Sequence, residues 1–159
     1  MISIILSIFL VACISGSFGQ QDSGSTGCPQ GWMQNRQSCY LTGERFNGQT
    51  WYSAAAFCEA LGSHLVEIND AQEFNFIQGR IRAVSWVDGP WIGMIRLFGD
   101  SRYYFPSTHG QASDSSLNNQ ISQLASRATN DCGGFDKYGN NFGFWRCRNG
   151  GSPICEMEL

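Results

Sequence analysis

The 159-residue chain has few charged residues and, after its first 14 residues, no long apolar run. Charged side chains make up 14% of it, and 10 Lys and Arg against 13 Asp and Glu give a formal net charge of −3. No cluster of Lys or Arg occurs, so nucleic acid is not an expected partner. A membrane-spanning helix needs about 20 apolar residues. The remainder of the chain has no such segment, so we expect no membrane insertion.

The motifs of catalysis and of structural zinc are also missing. The chain has no Gly-x-Ser-x-Gly elbow, no His-Glu-x-x-His pair and no glycine-rich phosphate loop. Glu59 and Glu67 are acids of the kind that hydrolyse glycosidic bonds in pairs, but we expect both to be solvated near helix ends. Zinc is disfavoured because no Cys-x-x-Cys pair occurs and only His64 and His109 are available. We therefore predict that the protein is not an enzyme.

The N-terminal segment has the pattern of a secretory signal. Residues 2–14 are apolar, and small residues at Ser17 and Gly19 predict cleavage after Gly19, so that residues 1–19 are a signal peptide. A retained anchor is the alternative, since no Lys or Arg precedes the apolar run. Residues 20–27 are rich in Ser, Gly and Gln and predict a disordered tail. Residues 28–157 then form one secreted, extracellular domain whose oligomeric state the sequence leaves open.

Six of the seven cysteines remain once Cys13 leaves with the signal. An even number of cysteines in a secreted chain predicts a disulfide framework. Six cysteines allow fifteen pairings, and their number alone selects none of them. The six are Cys28, Cys39, Cys58, Cys132, Cys147 and Cys155.

Hydrophobic periodicity predicts two helices followed by strands. Thr50 is a suitable N-cap for a helix that ends before Gly62. Asp70 and Glu73 resemble a capping box, which places the start of a second helix near Asn69 or Asp70. Beyond Val84 the chain has strand patterns at residues 91–95, 102–105, 142–147 and 154–157. Helices first and strands later indicate an α+β domain.

These residues, taken in order, resemble the C-type lectin-like domain family. The resemblance lies in Gly31-Trp32, Ser38-Cys39-Tyr40, Trp51-x-x-Ala54-x-x-x-Cys58, Gly62-x-x-Leu65-x-x-Ile68, Trp91-Ile92-Gly93, Cys132, Cys147 and Ile154-Cys155-Glu156. It is closest to invertebrate secreted, perlucin-like members. It implies a disulfide-stapled fold of two helices and small antiparallel sheets, with a long irregular loop region. It also implies the pairs Cys28–Cys39, Cys58–Cys155 and Cys132–Cys147.

Members of this family usually bind sugar through a calcium ion, and this chain departs from the usual ligands. The resemblance implies a Glu-Pro-Asn or Gln-Pro-Asp triplet in the long loop, an acid two residues before Cys132, and Trp-Asn-Asp before Cys147. The chain has neither proline triplet, has Asn130 before Cys132, and has Phe142-Gly143-Phe144 in the last position. Calcium affinity follows the charge of the ligands. We therefore expect no required cofactor, with Ca²⁺ as the alternative.

Polar residues of the loop and its flanks are the candidate ligand contacts. Leu117, Ile121 and Leu124 have helical spacing, which predicts a short amphipathic helix there; a polar loop with accidental spacing is the alternative. The candidate ligand-binding residues are Asp114, Asn118, Asn119, Asn130, Asp131, Asn140, Asn141 and Trp145.

The aromatic residues divide into core and surface candidates. Trp51 and Trp91 match core positions of the family, whereas Trp86 and Trp145 are open to a role in a sugar-stacking surface. Tyr103 and Tyr104 alternate in a strand, so we expect one to be buried and the other to reach the surface.

The expected function is recognition of a glycan or an extracellular glycoprotein, in defence (innate immunity) or in an extracellular matrix. Two alternatives remain: a calcium-independent module of the same fold that binds proteins, and a shell or matrix component that contacts a solid phase. The low content of carboxylates disfavours the solid phase.

Overall fold

The structure, a computed structural model, describes residues 27–96, 103–108, 110–111 and 132–159. The predicted signal peptide and the predicted loop helix lie outside these ranges. So does the predicted tail, except for Gly27. Neither helix in these ranges is long and apolar enough to cross a membrane.

The first helix, α1, spans Trp51–Ala60 and begins where the sequence predicts. The Thr50 side chain accepts a hydrogen bond from the Ser53 backbone N–H at 3.2 Å, so it caps the helix. Gly62 follows with a φ of +70°, a left-handed conformation that suits glycine and ends the helix. One face of α1 is buried through Trp51, Ala54 and Cys58.

The second helix, α2, spans Ala71–Ala83, with Asp70 as its N-cap. The Asp70 carboxylate accepts from the Glu73 backbone N–H at 2.8 Å. Glu73 does not return to the cap residue; it accepts from the Asn69 N–H, one position earlier, at 2.9 Å. The predicted inward stripe of Phe74, Ile77 and Ile81 is buried.

Nine strands accompany the helices within the described ranges. They are β1 (Met33–Asn35), β2 (Ser38–Thr42), β3 (His64–Leu65), β4 (Pro90–Arg96), β5 (Tyr103–Phe105), β6 (Gly110–Gln111), β7 (Cys132–Phe135), β8 (Phe142–Trp145) and β9 (Ser152–Glu158). Their hydrogen-bonded order is β1-β2-β9-β4-β5-β6, with β3 on β9 and β7 between β4 and β8. Every pairing is antiparallel except β4 with β9, which is parallel and joins the two halves of the fold.

Two buried clusters hold these elements together. The larger lies under α2 and includes Ile68, Phe74, Ile92, Phe135 and Phe142. The smaller lies under α1 and contains Trp51, Trp91 and the cysteines of two disulfides. Trp51 and Trp91 are therefore core residues, and each indole N–H donates to a backbone carbonyl, that of Ile92 at 2.7 Å and that of Gln49 at 2.8 Å.

The structure contains the three disulfides that the family resemblance implies. They join Cys28 to Cys39, Cys58 to Cys155 and Cys132 to Cys147. The second pair ties α1 to β9 across 97 residues of sequence and lies in the smaller cluster. The expected disulfide-stapled α+β fold is thus confirmed.

Candidate functional site

The β7–β8 hairpin is where the family resemblance places the last group of ligands. Its register pairs Cys132 with Trp145 at one end and Phe135 with Phe142 at the other. Residues 136–141 form the turn beyond that second end. The disulfide between Cys132 and Cys147 fixes the first end, which also adjoins β4 through the pairing of Ile95 with Cys132.

Strand β8 presents aromatic rings in place of metal ligands. Phe142 is buried and occupies the core position expected of it. Phe144 stacks on Tyr103 of β5, with ring centroids 4.0 Å apart and planes 14° from parallel. The Arg96 guanidinium lies 5.8 Å from the centroid of Tyr103. This surface is therefore aromatic and cationic, and the two residues after Phe142 offer no side-chain oxygen to a cation.

The two tyrosines of β5 do not divide as expected. Tyr103 and Tyr104 are both half-buried, so the prediction of one buried and one surface ring is wrong. The fully buried residue of β5 is Phe105, which shares a strand face with Tyr103. Phe105 belongs to the larger buried cluster, and Tyr103 and Phe144 pack against the edge of that cluster while their rings stack on each other.

Asn140 and Asn141 lie in the turn, at the end of the hairpin opposite Trp145. The Asp136 carboxylate accepts from the backbone N–H groups of Tyr138, Asn140 and Asn141, each at 3.0 Å, and from the Asn141 side chain at 2.5 Å. Burial favours the neutral carboxyl, but these hydrogen bonds outweigh it and lower the pKa of Asp136. The turn therefore uses Asp136 and Asn141 to hold its own backbone.

Trp145 is half-buried and lines a small cleft of about 150 Å³, together with Asp136, Asn149 and the ring of Trp91. The indole of Trp145 and the amide of Asn149 are a combination that can contact one sugar unit, whereas the Asp136 carboxylate already accepts four hydrogen bonds within the turn. Trp86, the other tryptophan left open by the sequence, is 7% exposed and donates its indole N–H to the Ile81 carbonyl. It belongs to the core and has no part in a binding surface.

Five of the eight candidate ligand-binding residues lie outside the described part of the chain. They are Asp114, Asn118, Asn119, Asn130 and Asp131, and their role stays a prediction.

Within the described ranges, no group of three or more His, Cys, Asp or Glu side chains is arranged to hold a metal ion. The residues of β8 do not fit a calcium ion, since Phe144 takes the place of a hard oxygen ligand.

Buried acids are the polar feature that sequence patterns did not reveal. Glu67 is 1% exposed, and its carboxylate accepts from the Ser107 N–H at 2.7 Å and the Thr108 hydroxyl at 3.0 Å. The expectation that Glu67 is solvated at a helix end is therefore wrong. Glu67 ends up inside because residues 106–108 fold over it.

Glu73 and Glu156 form a buried acidic pair beside the Tyr40 phenol. The Tyr40 hydroxyl lies 2.7 Å from Glu73 Oε1 and 3.2 Å from Glu156 Oε1. Burial, followed by the charge of Glu73, raises the pKa of Glu156 to about 7. Burial and the hydrogen bond to Glu73 also raise the pKa of Tyr40. Apolar neighbours flank Glu67 and Glu156 in the sequence and are the available signal for their burial, whereas Glu73 follows the polar Gln72.

Comparison with known proteins defines the family. Residues 47–157 match the model of the Lectin C-type domain, which is more than half of the chain. The chain therefore belongs to the C-type lectin domain family, as the sequence resemblance predicts. A perlucin-like protein of Mytilus galloprovincialis is 28% identical over 131 residues, which cover 82% of this chain and 79% of the relative.

Solved structures with the same fold include both a sugar complex and a calcium-independent protein. The complex of SPL-1 with GlcNAc is 25% identical, has a TM-score of 0.67, and is matched over 82% of this chain and 94% of its own. A calcium-independent type II antifreeze protein has a TM-score of 0.61 at 18% identity, over 83% and 95% of the two chains. The second likeness shows the fold alone.

Proposed function

We propose that the protein is a secreted lectin that recognises glycans without calcium ligands from β8. The observation that carries the proposal is the stack of Phe144 on Tyr103 in the position where the family resemblance implies metal-binding side chains. Sugar rings have apolar C–H faces, which aromatic side chains cover, while the Tyr103 hydroxyl is a hydrogen-bonding group beside the Arg96 positive charge. The family membership and the sugar complex of a structural relative support the choice of ligand.

Secretion is part of this proposal. Its support is the apolar segment at residues 2–14 and the three disulfides, which persist in oxidising compartments. Residues 1–19 would be removed as a signal peptide, so that the extracellular protein is the domain of residues 28–157 with a short tail. A role in defence or in an extracellular matrix fits such a protein, and the domain acts by binding and not by catalysis.

Alanine substitution of Tyr103 tests the site. A glycan array identifies ligands of the oxidised domain, and the affinity of the best one is then measured for Tyr103→Ala. Stacking of a nucleobase on one aromatic ring is worth about 1–3 kcal/mol, and with a contribution of the same order for a sugar face we expect affinity to fall about tenfold. Tyr138→Ala is the matched control, since Tyr138 is 64% exposed on the hairpin turn, away from β5.

Unchanged glycan affinity in Tyr103→Ala would remove β5 and β8 from the site. Absence of any glycan ligand on the array would instead favour a protein-binding module of the same fold. A search for protein partners by cross-linking in an extracellular extract would then use Tyr103→Ala and Tyr138→Ala in the same way.

A further inference from the structure

A second cleft runs along the exposed side of α1 and reaches the segment that follows β5. It has a volume of about 310 Å³ and is walled by Tyr52, Ala55, Ala56 and Glu59 of the helix. Its far side is formed by Pro106 and Ser107, and Leu65 and Gly93 are among the residues between the two walls. Ligand pockets in proteins begin at about 300 Å³, so the cleft suits one small ring and not an extended chain.

The aromatic wall of this cleft is accessible. Tyr52 is 57% exposed, and its ring meets Trp51 edge-to-face with centroids 5.5 Å apart. Trp51 is fixed in turn by the hydrogen bond from its indole N–H to the Ile92 carbonyl. The Tyr52 ring is thus held from beneath while most of it remains open to a ligand.

The charge of the cleft is negative. Glu59 and Glu67 line it, and no Lys or Arg is among the lining residues that the structure describes. Glu67 accepts two hydrogen bonds, from Ser107 and Thr108. The ion pair among the described residues is that of Arg36 with Asp70, so within those residues the buried Glu67 carboxylate has no cationic partner. A buried carboxylate without a counter-charge produces a negative potential in the cleft beside it.

His64 adds a hydrogen-bond acceptor at the rim. Its Nδ1 lies 2.9 Å from the Leu65 carbonyl oxygen, which can only accept, so Nδ1 carries the hydrogen. In the neutral imidazole Nε2 is then an acceptor. The cleft therefore combines an aromatic face with hydrogen-bond acceptors and negative charge. This combination favours a small, partly apolar ligand that carries an ammonium group.

We infer that this cleft binds an amino sugar with a free, protonated amine, as a site separate from β8. The ring of the sugar covers Tyr52, and its ammonium group lies in the field of Glu59 and Glu67. The choice of a sugar as occupant rests on the proposed glycan recognition, whereas the requirement for positive charge rests on the cleft itself.

The test compares D-glucosamine with N-acetyl-D-glucosamine, which share a ring and differ in the charge on the nitrogen. Backbone amide shifts of the whole oxidised domain are followed by NMR at pH about 7, where an amine with an ordinary pKa of about 8 is still largely charged. We expect saturable shifts around Tyr52 and Gly93 with glucosamine, and about tenfold weaker binding of the acetylated sugar, the size of one charge-assisted hydrogen bond.

Two exposed residues supply the variants, each with a matched control. Tyr52→Ala and Glu59→Gln should each weaken glucosamine binding several-fold, whereas Tyr138→Ala and Glu158→Gln, at exposed positions outside the cleft, should leave it unchanged. Equal affinity for the two sugars, shifts that map to β8, or absence of saturable shifts would overturn the inference. Tyr103→Ala should not alter the shifts around the cleft, so failure here is distinguishable from failure of the β8 site.

Discussion

Replacement of Glu156 by glutamine should remove much of the pH dependence of stability between pH 4 and pH 8. The hydroxyl of Tyr40 has one hydrogen, and it lies closer to Glu73 than to Glu156. Glu156 therefore faces the phenol oxygen without a hydrogen bond unless its own carboxyl is protonated. Its other oxygen accepts from the Glu67 N–H at 3.2 Å, which a glutamine carbonyl can equally do.

The sign of the effect follows from the raised pKa. The ordinary pKa of 4.5 becomes about 7 in the folded domain, because burial and the charge of Glu73 oppose ionisation, more than the Glu67 N–H, Ser38 and His64 favour it. The protonated carboxyl thus stabilises the fold fully below pH about 4.5, and this contribution is lost as pH rises to about 7. At about 1.4 kcal/mol per pKa unit, the loss is roughly 3 kcal/mol, as an order of magnitude.

Urea denaturation of the oxidised protein at a series of pH values measures this directly. The wild-type free energy of unfolding should fall from pH 4.5 to pH 7 relative to that of Glu156→Gln, so that the variant is the more stable protein at pH 8. Comparison of the two proteins cancels the titrating groups that do not interact with Glu156. Parallel curves for the two would refute the assignment of a protonated Glu156 to the folded domain.

Three further variants, two glycine substitutions and the loss of one disulfide, test the stability of the domain. Gly93→Ala should destabilise the domain by about 1–3 kcal/mol, because a Cβ there would lie 2.4 Å from the Leu65 carbonyl oxygen. Gly79→Ala, in an open position on α2, should instead stabilise by about 0.5–1 kcal/mol, and thermal unfolding of both variants checks the contrast. Loss of the disulfide in a Cys58→Ala, Cys155→Ala double variant should cost about 4–5 kcal/mol in denaturant unfolding, since it closes a loop of 97 residues; a cost below about 1 kcal/mol would contradict this.

The local elements of the fold were predictable because their signals are local. Thr50 before an apolar stripe and Gly62 after it identify α1, and Asp70 three residues before Glu73 identifies the start of α2. The disulfide pairing required the family resemblance, since spacing alone leaves fifteen possibilities. The parallel contact of β4 with β9 was not predictable, because it joins residues about 60 apart whose patterns match any strand partner.

The site was less predictable than the fold, for a physical reason. The loss of ligand oxygens at Gly143 and Phe144 is visible in the sequence, but the partner that replaces them, Tyr103, comes from a strand about 40 residues earlier. The burial of Glu67 is likewise decided by a distant segment, the turn that contains Ser107 and Thr108. Contacts between remote segments leave no periodic pattern in either of them.

Glycan binding in the presence of a chelator tests the central claim most directly. The wild-type domain is applied to a glycan array with calcium and again with an excess of EDTA. Because β8 offers Phe144 where a calcium ligand is expected, we predict the same glycans and closely similar affinities in both conditions. Binding that disappears in EDTA and returns with added calcium would contradict the account.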